Sequence, residues 1–188
     1  MNTNKNRQSI RLKNYDYSQS GLYFVTICTQ NRECLFGNII NGKMKLNAAG
    51  KIIESVFKSL PKRFPIVLDE FQMMPNHVHM ILVIQPHTTY GSNNGRDDRA
   101  PTLGKIIAYF KYESTKQINN IVGAGIIPPD TIHKIFQRNY YEHVVRNEND
   151  LDKIREYIIN NPGMWDHDRN NPELQVRIVS CSDSCHFV

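Results

Sequence analysis

The sequence predicts an α+β protein in which a small antiparallel sheet is covered by helices. Two observations lead to this prediction. The hydrophobic pattern has the order strand, hairpin, helix, strand, strand, helix, helix, with no internal repeat. The composition is that of one globular domain, with 188 residues of which 40% are hydrophobic and 22% charged. A chain of this length buries about 70% of its unfolded surface, so it needs no metal or disulfide merely to fold.

The first half begins with a strand and a hairpin. Residues 22–30 are rich in aromatic and β-branched side chains, which predicts a buried strand. Asn41 and Gly42 follow between two short apolar runs, and this dipeptide tolerates the positive φ that a tight hairpin turn requires at both centres. Asn47 is then expected to cap a helix over 48–60, where apolar residues recur at helical spacing.

Two further strands are predicted over residues 66–74 and 77–85. Pro75 excludes one continuous helix through this region, and together with Asn76 it predicts a tight turn. Residues 86–100 have neither periodicity nor apolar content, so we expect a surface loop rather than a linker between domains.

Residues 102–118 have the periodicity of a helix with two distinct faces. One face is apolar and faces the predicted core. The other is basic and aromatic, the combination that holds single-stranded DNA through phosphate contacts and base stacking, although a merely solvated face is the alternative. The apolar face carries Leu103, Ile107, Phe110 and Ser114, and the basic, aromatic face carries Lys105, Tyr109, Tyr112 and Lys116.

The last third contains a turn, a short extended segment and a final helix. The turn and the extended segment fall within 134–147, and Asn147 is expected to cap the helix that follows. Asp150 favours the positive end of that helix, and Pro162 terminates it. The chain beyond Trp165 is polar, and we expect it to be loose.

The charge distribution is informative about partners. The net charge is +5 and the pI about 9.0, which permits a polyanionic partner without requiring one. No acidic residue precedes Asp16, so the N-terminal arm is locally basic, either as a DNA contact or as a solubilising tail. Its basic residues are Lys5, Arg7, Arg11 and Lys13.

The sequence indicates a cytoplasmic protein that does not bind membranes. It has no apolar run near the roughly 18 residues of a membrane span, and its N-terminus is polar. Its four cysteines are expected to be reduced thiols. Cys181, Cys185 and His186 lie close together but lack the paired four-ligand pattern of structural zinc.

The most specific local pattern is His77-Val78-His79. Residues at i and i+2 of a strand point to the same face, about 6–7 Å apart along it, which suits two imidazoles on one divalent ion. The alternative is a pair of half-exposed polar residues on one sheet face.

A second pattern lies on the final helix. Tyr157 and Asn161 are four residues apart and therefore project from one face, next to an apolar stripe. The alternative is an amphipathic edge tyrosine followed by the residue that ends the helix.

Three separated blocks together resemble the HUH single-tyrosine transposases, and among them the REP-associated tyrosine transposases. The first block is RLKNYDYSQSGLYFVTICTQNR, the second is MPNHVHMIL, and the third is FQRNYYEHVVRNENDLDKIREYIINNP. The resemblance covers residues 9–165 as one domain. It leaves a basic N-terminal arm at 1–8 and a polar C-terminal tail at 166–188.

The resemblance implies a ferredoxin-like sheet with the nucleophile on a C-terminal helix. It implies that Tyr157 attacks DNA and that His77, His79 and Asn161 hold Mg²⁺ or Mn²⁺. Many mobile relatives have glutamine where Asn161 stands. The implied product is a 5′-phosphotyrosine with a free 3′-OH on single-stranded hairpin DNA. The candidates for DNA contact come instead from the basic and aromatic patterns described above, and they are Arg7, Arg11, Lys13, Lys105, Tyr109, Tyr112 and Lys116.

Other interpretations remain open at this stage. A protein of the same fold that only recognises hairpin DNA would make Tyr157 dispensable. A histidine-triad hydrolase needs a third histidine where Ile81 stands. Mobile relatives are often dimers, so the resemblance is compatible with either a monomer or a homodimer. His143 has no derived role and is expected to be a structural histidine.

Overall fold

The computed structural model describes residues 19–86, 101–123 and 134–174. Within these ranges the chain has six strands and three α-helices. The elements are β1 (Gly21–Cys28), β2 (Gly37–Ile40), β3 (Lys43–Leu46), α1 (Ala48–Ser59), β4 (Ile66–Met73), β5 (His77–Ile84), α2 (Leu103–Gly123), β6 (Tyr141–Val145) and α3 (Glu148–Asn160).

Four strands form one antiparallel sheet in the order β4-β5-β1-β6, and β2 and β3 form a separate hairpin. Without that hairpin, the sheet strands and first two helices follow the order βαββαβ. Numbered along the chain, the sheet strands lie in the order 2-3-1-4, which is the ferredoxin-like arrangement. The predicted α+β fold is therefore confirmed, and α3 follows it as the additional C-terminal helix.

Local sequence signals account for the element boundaries. Asn41 and Gly42 have φ of 52° and 69°, as the hairpin turn requires. The side chain of Asn47 accepts a hydrogen bond of 3.0 Å from the Gly50 amide at the start of α1, and that of Asn147 accepts one from the Asp150 amide at the start of α3.

The sheet has a different cover on each face, and the alternation of side chains along its strands decides which residues meet which helix. Tyr23 and Val25 of β1 and Val78 of β5 pack in the main core with α1 and α2. The opposite face carries a smaller cluster, shared with α3, of Phe24, Ile81, Val145, Leu151 and Ile158. Because strand side chains alternate, His77 and His79 share the α3 face with Ile81.

Two segments extend further than the sequence predicts. Helix α2 continues to Gly123 rather than ending near residue 118, and its predicted apolar face is fully buried. The expectation of a loose chain after Trp165 is wrong as far as residue 174. A 3₁₀ segment covers Asn161–His167, and the side chains of Asn170 and Asn171 beyond it are buried.

The predicted loop at 86–100 lies almost wholly outside the described residues. Among the described helices, none combines the length and apolar character needed to cross a membrane.

Candidate metal and nucleophile site

The two histidines of β5 meet beneath α3. His77 and His79 are 0% and 2% exposed, so they are not the half-exposed polar pair of the alternative interpretation. Their Nε2 atoms lie 3.0 Å apart. Two imidazole nitrogens therefore converge on one point of the sheet face.

The hydrogen bonds of Asn76 determine which nitrogen of His77 carries the proton. The Asn76 amide nitrogen donates to the carbonyl oxygens of Arg32 at 2.9 Å and Asn170 at 2.7 Å. Its Oδ1 must then be the acceptor that faces His77 Nδ1, at 2.8 Å. His77 consequently donates from Nδ1 and presents the lone pair of Nε2.

His79 is held in the same manner by the neighbouring strand. Its Nδ1 lies 2.8 Å from Thr26 Oγ1, and Thr26 is its direct partner in the antiparallel pairing of β1 and β5. A proton on Nδ1 that is donated to Thr26 leaves the Nε2 lone pair directed at His77. Both rings can thus present lone pairs to a common cation.

The electrostatics favour neutral imidazoles. Burial lowers the pKa of His77 to about 3, and the positive charges of Arg32 and Arg169 contribute to this shift. Burial also lowers the pKa of His79 to about 3, with His77 as a further cause. Neutral imidazole is the form that binds metals, so the pair is ready to act as ligands near neutral pH.

Helix α3 places a tyrosine against this pair. Tyr157 is 49% exposed, and its hydroxyl lies 3.5 Å from His79 Nε2. Burial raises the pKa of Tyr157 and the nearby Asp168 carboxylate raises it further, whereas a hydrogen bond with the Asn161 side chain lowers it. The phenol therefore contacts His79 on one side and is exposed on the other.

Asn161 follows the last turn of α3 and is 4% exposed. Its Oδ1 has no hydrogen-bond partner in the described part of the chain. A buried carbonyl oxygen without a partner is costly, and a cation would satisfy it.

A carboxylate that the sequence analysis missed completes the site. Asp168 Oδ2 lies 3.6 Å from His77 Nε2, and its side chain is 6% exposed. The ligand atoms of His77, His79 and Asp168 all lie within 4.8 Å of one another. No local signal marks Asp168, because it follows the last helix in a polar stretch and approaches the histidines only through the tertiary fold.

These observations test whether the residues fit a divalent cation. Two imidazole lone pairs converge, and an amide oxygen without a partner and a carboxylate oxygen lie beside them. Nitrogen and oxygen ligands of this kind suit divalent metals, so the residues fit the ion that the sequence analysis expected.

The predicted DNA-contact residues have different environments. Arg7, Arg11 and Lys13 lie outside the described residues. On α2, Lys105 and Lys116 are exposed and Tyr112 is 64% exposed. Tyr109 does not fit the prediction of a free stacking face, because its ring packs edge-on against Phe64 and lies under the guanidinium of Arg63, 4.7 Å from the ring centroid.

A basic groove lies beside Tyr112 and Lys116, between α2 and residues 134–138. It has a volume of about 410 Å³ and is lined in part by Lys111, Lys134 and Arg138. Lys111 stabilises the segment opposite α2, because its ammonium donates to the carbonyl oxygens of Gln137, Arg138 and Asn139 at 2.8–3.2 Å. Burial lowers the pKa of Lys111 to about 8.

The groove adjoins the histidine site through β1. The backbone amide of Gln137 donates to the Cys28 carbonyl at 3.0 Å, and Cys28 pairs with His77 on the neighbouring strand. A strand bound in the groove would therefore lie near the end of β5 that carries the histidines.

His143 is a structural histidine, as expected. Its Nε2 lies 2.8 Å from Asp150 Oδ2, which joins β6 to the first turn of α3. Cys28 and Cys34 are free thiols, and Cys181 and Cys185 lie outside the described residues.

Comparisons with known proteins give relatives in sequence and in fold. No family model matches the sequence. The chain is 40% identical over 173 residues to an uncharacterized protein of Haemophilus influenzae, covering 87% of this chain and 92% of that protein. It is 25% identical over 155 residues to a second protein of that organism, named "Putative REP-associated tyrosine transposase", covering 80% of this chain and 76% of the relative.

A solved structure has the same fold. It is that of a REP-associated tyrosine transposase bound to a REP hairpin, with a TM-score of 0.55 at 18% identity, covering 81% of this chain and 72% of the other.

The chain therefore has the fold of a solved REP-associated tyrosine transposase and is similar in sequence, at 25% identity, to a protein named as a putative one, which supports the resemblance to the HUH single-tyrosine transposases that the sequence indicated.

Proposed function

We propose that this protein is a metal-dependent endonuclease and strand transferase that cleaves single-stranded DNA at hairpin-forming repeats through Tyr157. One observation carries the proposal. A half-exposed tyrosine hydroxyl lies 3.5 Å from a buried histidine nitrogen that in turn lies 3.0 Å from a second one. A nucleophile and a cation site are thus adjacent, with one side open to a polymer.

The reaction is an exchange of phosphodiester oxygens. The Tyr157 oxygen attacks phosphorus and forms a phosphotyrosine bond to the 5′ side, while the bond to the 3′ oxygen breaks and leaves a free 3′-OH. Attack by another 3′-OH on the phosphotyrosine reverses the step and joins strands. Mg²⁺ or Mn²⁺, held by His77, His79 and Asn161, would polarise a phosphate oxygen and stabilise the charge that develops on it.

The residues of the chain prepare the nucleophile. Burial disfavours the phenolate of Tyr157, and the Asn161 amide opposes this effect by donating to the oxygen as it becomes negative. The ring is positioned by an edge-on contact with Phe24, with centroids 6.2 Å apart, and by contact with the His79 ring. The phenol is thus oriented before substrate arrives, which favours attack.

A hairpin substrate is supported by two features. The solved neighbour is bound to a REP hairpin. The groove beside Tyr112 and Lys116 offers basic groups and one exposed aromatic ring, the combination that binds unpaired bases and their phosphates.

The test is covalent trapping. Labelled single-stranded hairpin oligonucleotides are incubated with the protein and Mn²⁺, and denaturing gels reveal any protein–DNA adduct. We expect an adduct with the wild type and none with Tyr157→Phe or with EDTA. Tyr141→Phe is the matched control, because Tyr141 is another exposed tyrosine with an edge-on contact to Phe24.

An adduct with Tyr157→Phe would assign the nucleophile to another residue. Hairpin binding without an adduct by the wild type, across a diverse pool with Mn²⁺, would favour a protein that recognises hairpins without cleaving them.

A further inference from the structure

We propose that Asp168 is the anionic ligand of the metal, so that the chain segment after the nucleophile helix is part of the active site. This inference rests on the proposed function, since it concerns the same cation site. It adds to the cation site a residue of the segment 166–188, for which the sequence indicated only a polar tail.

The first argument is the charge of the ligand set. His77 and His79 bind metals as neutral imidazoles, and Asn161 contributes a neutral amide oxygen. These three groups alone would hold a dication without any negative charge. Hard divalent cations are usually bound through at least one carboxylate, and Asp168 is the carboxylate within 4.8 Å of both histidine ligand atoms.

The second argument is the direction from which Asp168 approaches. A carboxylate that merely orients a histidine would contact its outer nitrogen. Those outer positions are already occupied, on His77 by Asn76 and on His79 by Thr26, each at 2.8 Å. Asp168 Oδ2 instead lies 3.6 Å from the Nε2 of His77, the same nitrogen that faces His79 Nε2 and that would bind the cation.

The third argument is that the Asp168 carboxylate is preorganised. Its Oδ1 accepts a hydrogen bond of 2.6 Å from the backbone amide of Asn170, which leaves Oδ2 directed at His77. Two hydrogen bonds hold the backbone that follows Asp168. The Arg32 side chain donates to the Arg169 carbonyl at 2.9 Å, and the Asn76 side chain donates to the Asn170 carbonyl at 2.7 Å. The single amide of Asn76 thus sets both the tautomer of His77 and the position of this segment.

The experiment measures Mn²⁺ binding to the full-length protein without DNA, by the loss of the electron paramagnetic resonance signal of free Mn²⁺. Asp168→Asn keeps the acceptor for the Asn170 amide but removes the charge, and we expect its Kd for Mn²⁺ to rise at least about tenfold. Asp166→Asn is the matched control, since it removes the same charge from an exposed position two residues earlier and should leave the Kd unchanged.

The outcomes separate this inference from the proposed function. Equal Kd values for Asp168→Asn and wild type would overturn the inference and leave the histidine site intact. Failure of the wild type to bind Mn²⁺ would contradict both. Should Asp168→Asn fail to fold in EDTA, nuclear magnetic resonance of the wild type decides. Diamagnetic Mg²⁺ should shift the Asp168 side-chain carboxyl signal together with the ring signals of His77 and His79 and leave that of Asp166 in place, and an unmoved Asp168 signal would overturn the inference.

Discussion

Each histidine of the site is held from behind by one polar side chain. Asn76 binds Nδ1 of His77, and Thr26 binds Nδ1 of His79 from the adjacent strand. Such outer hydrogen bonds fix the ring orientation and the tautomer of a metal ligand, and their loss typically weakens metal binding by about 10–100-fold. The geometry of β1 therefore affects the candidate cation site, although β1 contributes no proposed ligand.

Thr26 provides a clean test at the scale of one residue. Thr26→Val keeps the shape of the side chain and removes the oxygen that holds His79. We expect the Kd for Mn²⁺ to rise by about tenfold, as measured by titration of the DNA-free protein.

Thr26→Ser is the control, because it retains the hydroxyl and should bind Mn²⁺ nearly as tightly as the wild type. An unchanged Kd for Thr26→Val would show that the hydrogen bond does not contribute to the ligand geometry.

At the scale of elements, the docking of α3 on the sheet decides where Tyr157, the proposed nucleophile, lies. Leu151 and Ile158 pack against Phe24 and Ile81, but apolar contacts alone leave a helix some freedom to slide. Arg155 adds a directional contact. Its Nε lies 2.9 Å from Asp69 Oδ1 and its Nη2 lies 2.5 Å from Asp69 Oδ2.

Asp69 lies where the register between β4 and β5 shifts, between Leu68 and Phe71. The Arg155 guanidinium holds the pKa of Asp69 below its usual range, and partial burial opposes that shift. The bidentate pair fixes both the rotation of α3 about its axis and its position on the sheet. Arg155, the helix member of this pair, precedes Tyr157 by two residues.

We expect Asp69→Asn to slow adduct formation while leaving hairpin affinity unchanged. The reason is geometric, because a displacement of about 1 Å at a reacting group costs up to about a hundredfold in rate. The measurements are single-turnover adduct formation and hairpin binding without metal. Glu70→Gln, a neighbouring carboxylate outside the pair, is the control, and an unchanged rate for Asp69→Asn would exclude a positioning role for the pair.

At the scale of the whole molecule, the distribution of charge says more about where DNA would bind than the net charge of +5 does. The groove between α2 and residues 134–138 gathers Lys116, Lys134 and Arg138 beside the exposed ring of Tyr112. One wall of the groove is joined to β1 by the hydrogen bond from the Gln137 backbone amide to the Cys28 carbonyl. Cys28 in turn pairs with His77 of β5. The proposed DNA-binding groove and the proposed catalytic site are therefore joined through β1.

Lys116→Gln tests this surface. Each phosphate contact releases counterions, so the loss of one contact to a single strand is expected to lower hairpin affinity and to reduce the slope of log K against log salt by about 0.7. Binding is measured over a salt series without metal, so that no strand is cleaved.

Lys58→Gln is the matched control, because Lys58 is an exposed lysine of α1 that pairs with Glu54 at 3.0 Å and lies outside the groove. Equal salt slopes for Lys116→Gln and wild type would place the phosphates elsewhere on the protein.

Some features of this protein follow from the sequence by itself. The spacing of His77 and His79 places both on one strand face, and the spacing of Tyr157 and Asn161 places both on one helix face. The hairpin turn and both helix caps likewise depend on residues near one another in the chain. Short-range geometry determines these features, so a pattern of residues is enough to predict them.

Only the tertiary structure decided the rest. Asp168 joins the histidines, Asn76 sets the tautomer of His77, and Arg63 covers the Tyr109 ring that the helical pattern indicated to be free. Each of these contacts joins elements that pack together without any periodic relation between their residues. Their positions depend on how α3 and the segment after it settle on the sheet, which is a property of the folded chain as a whole.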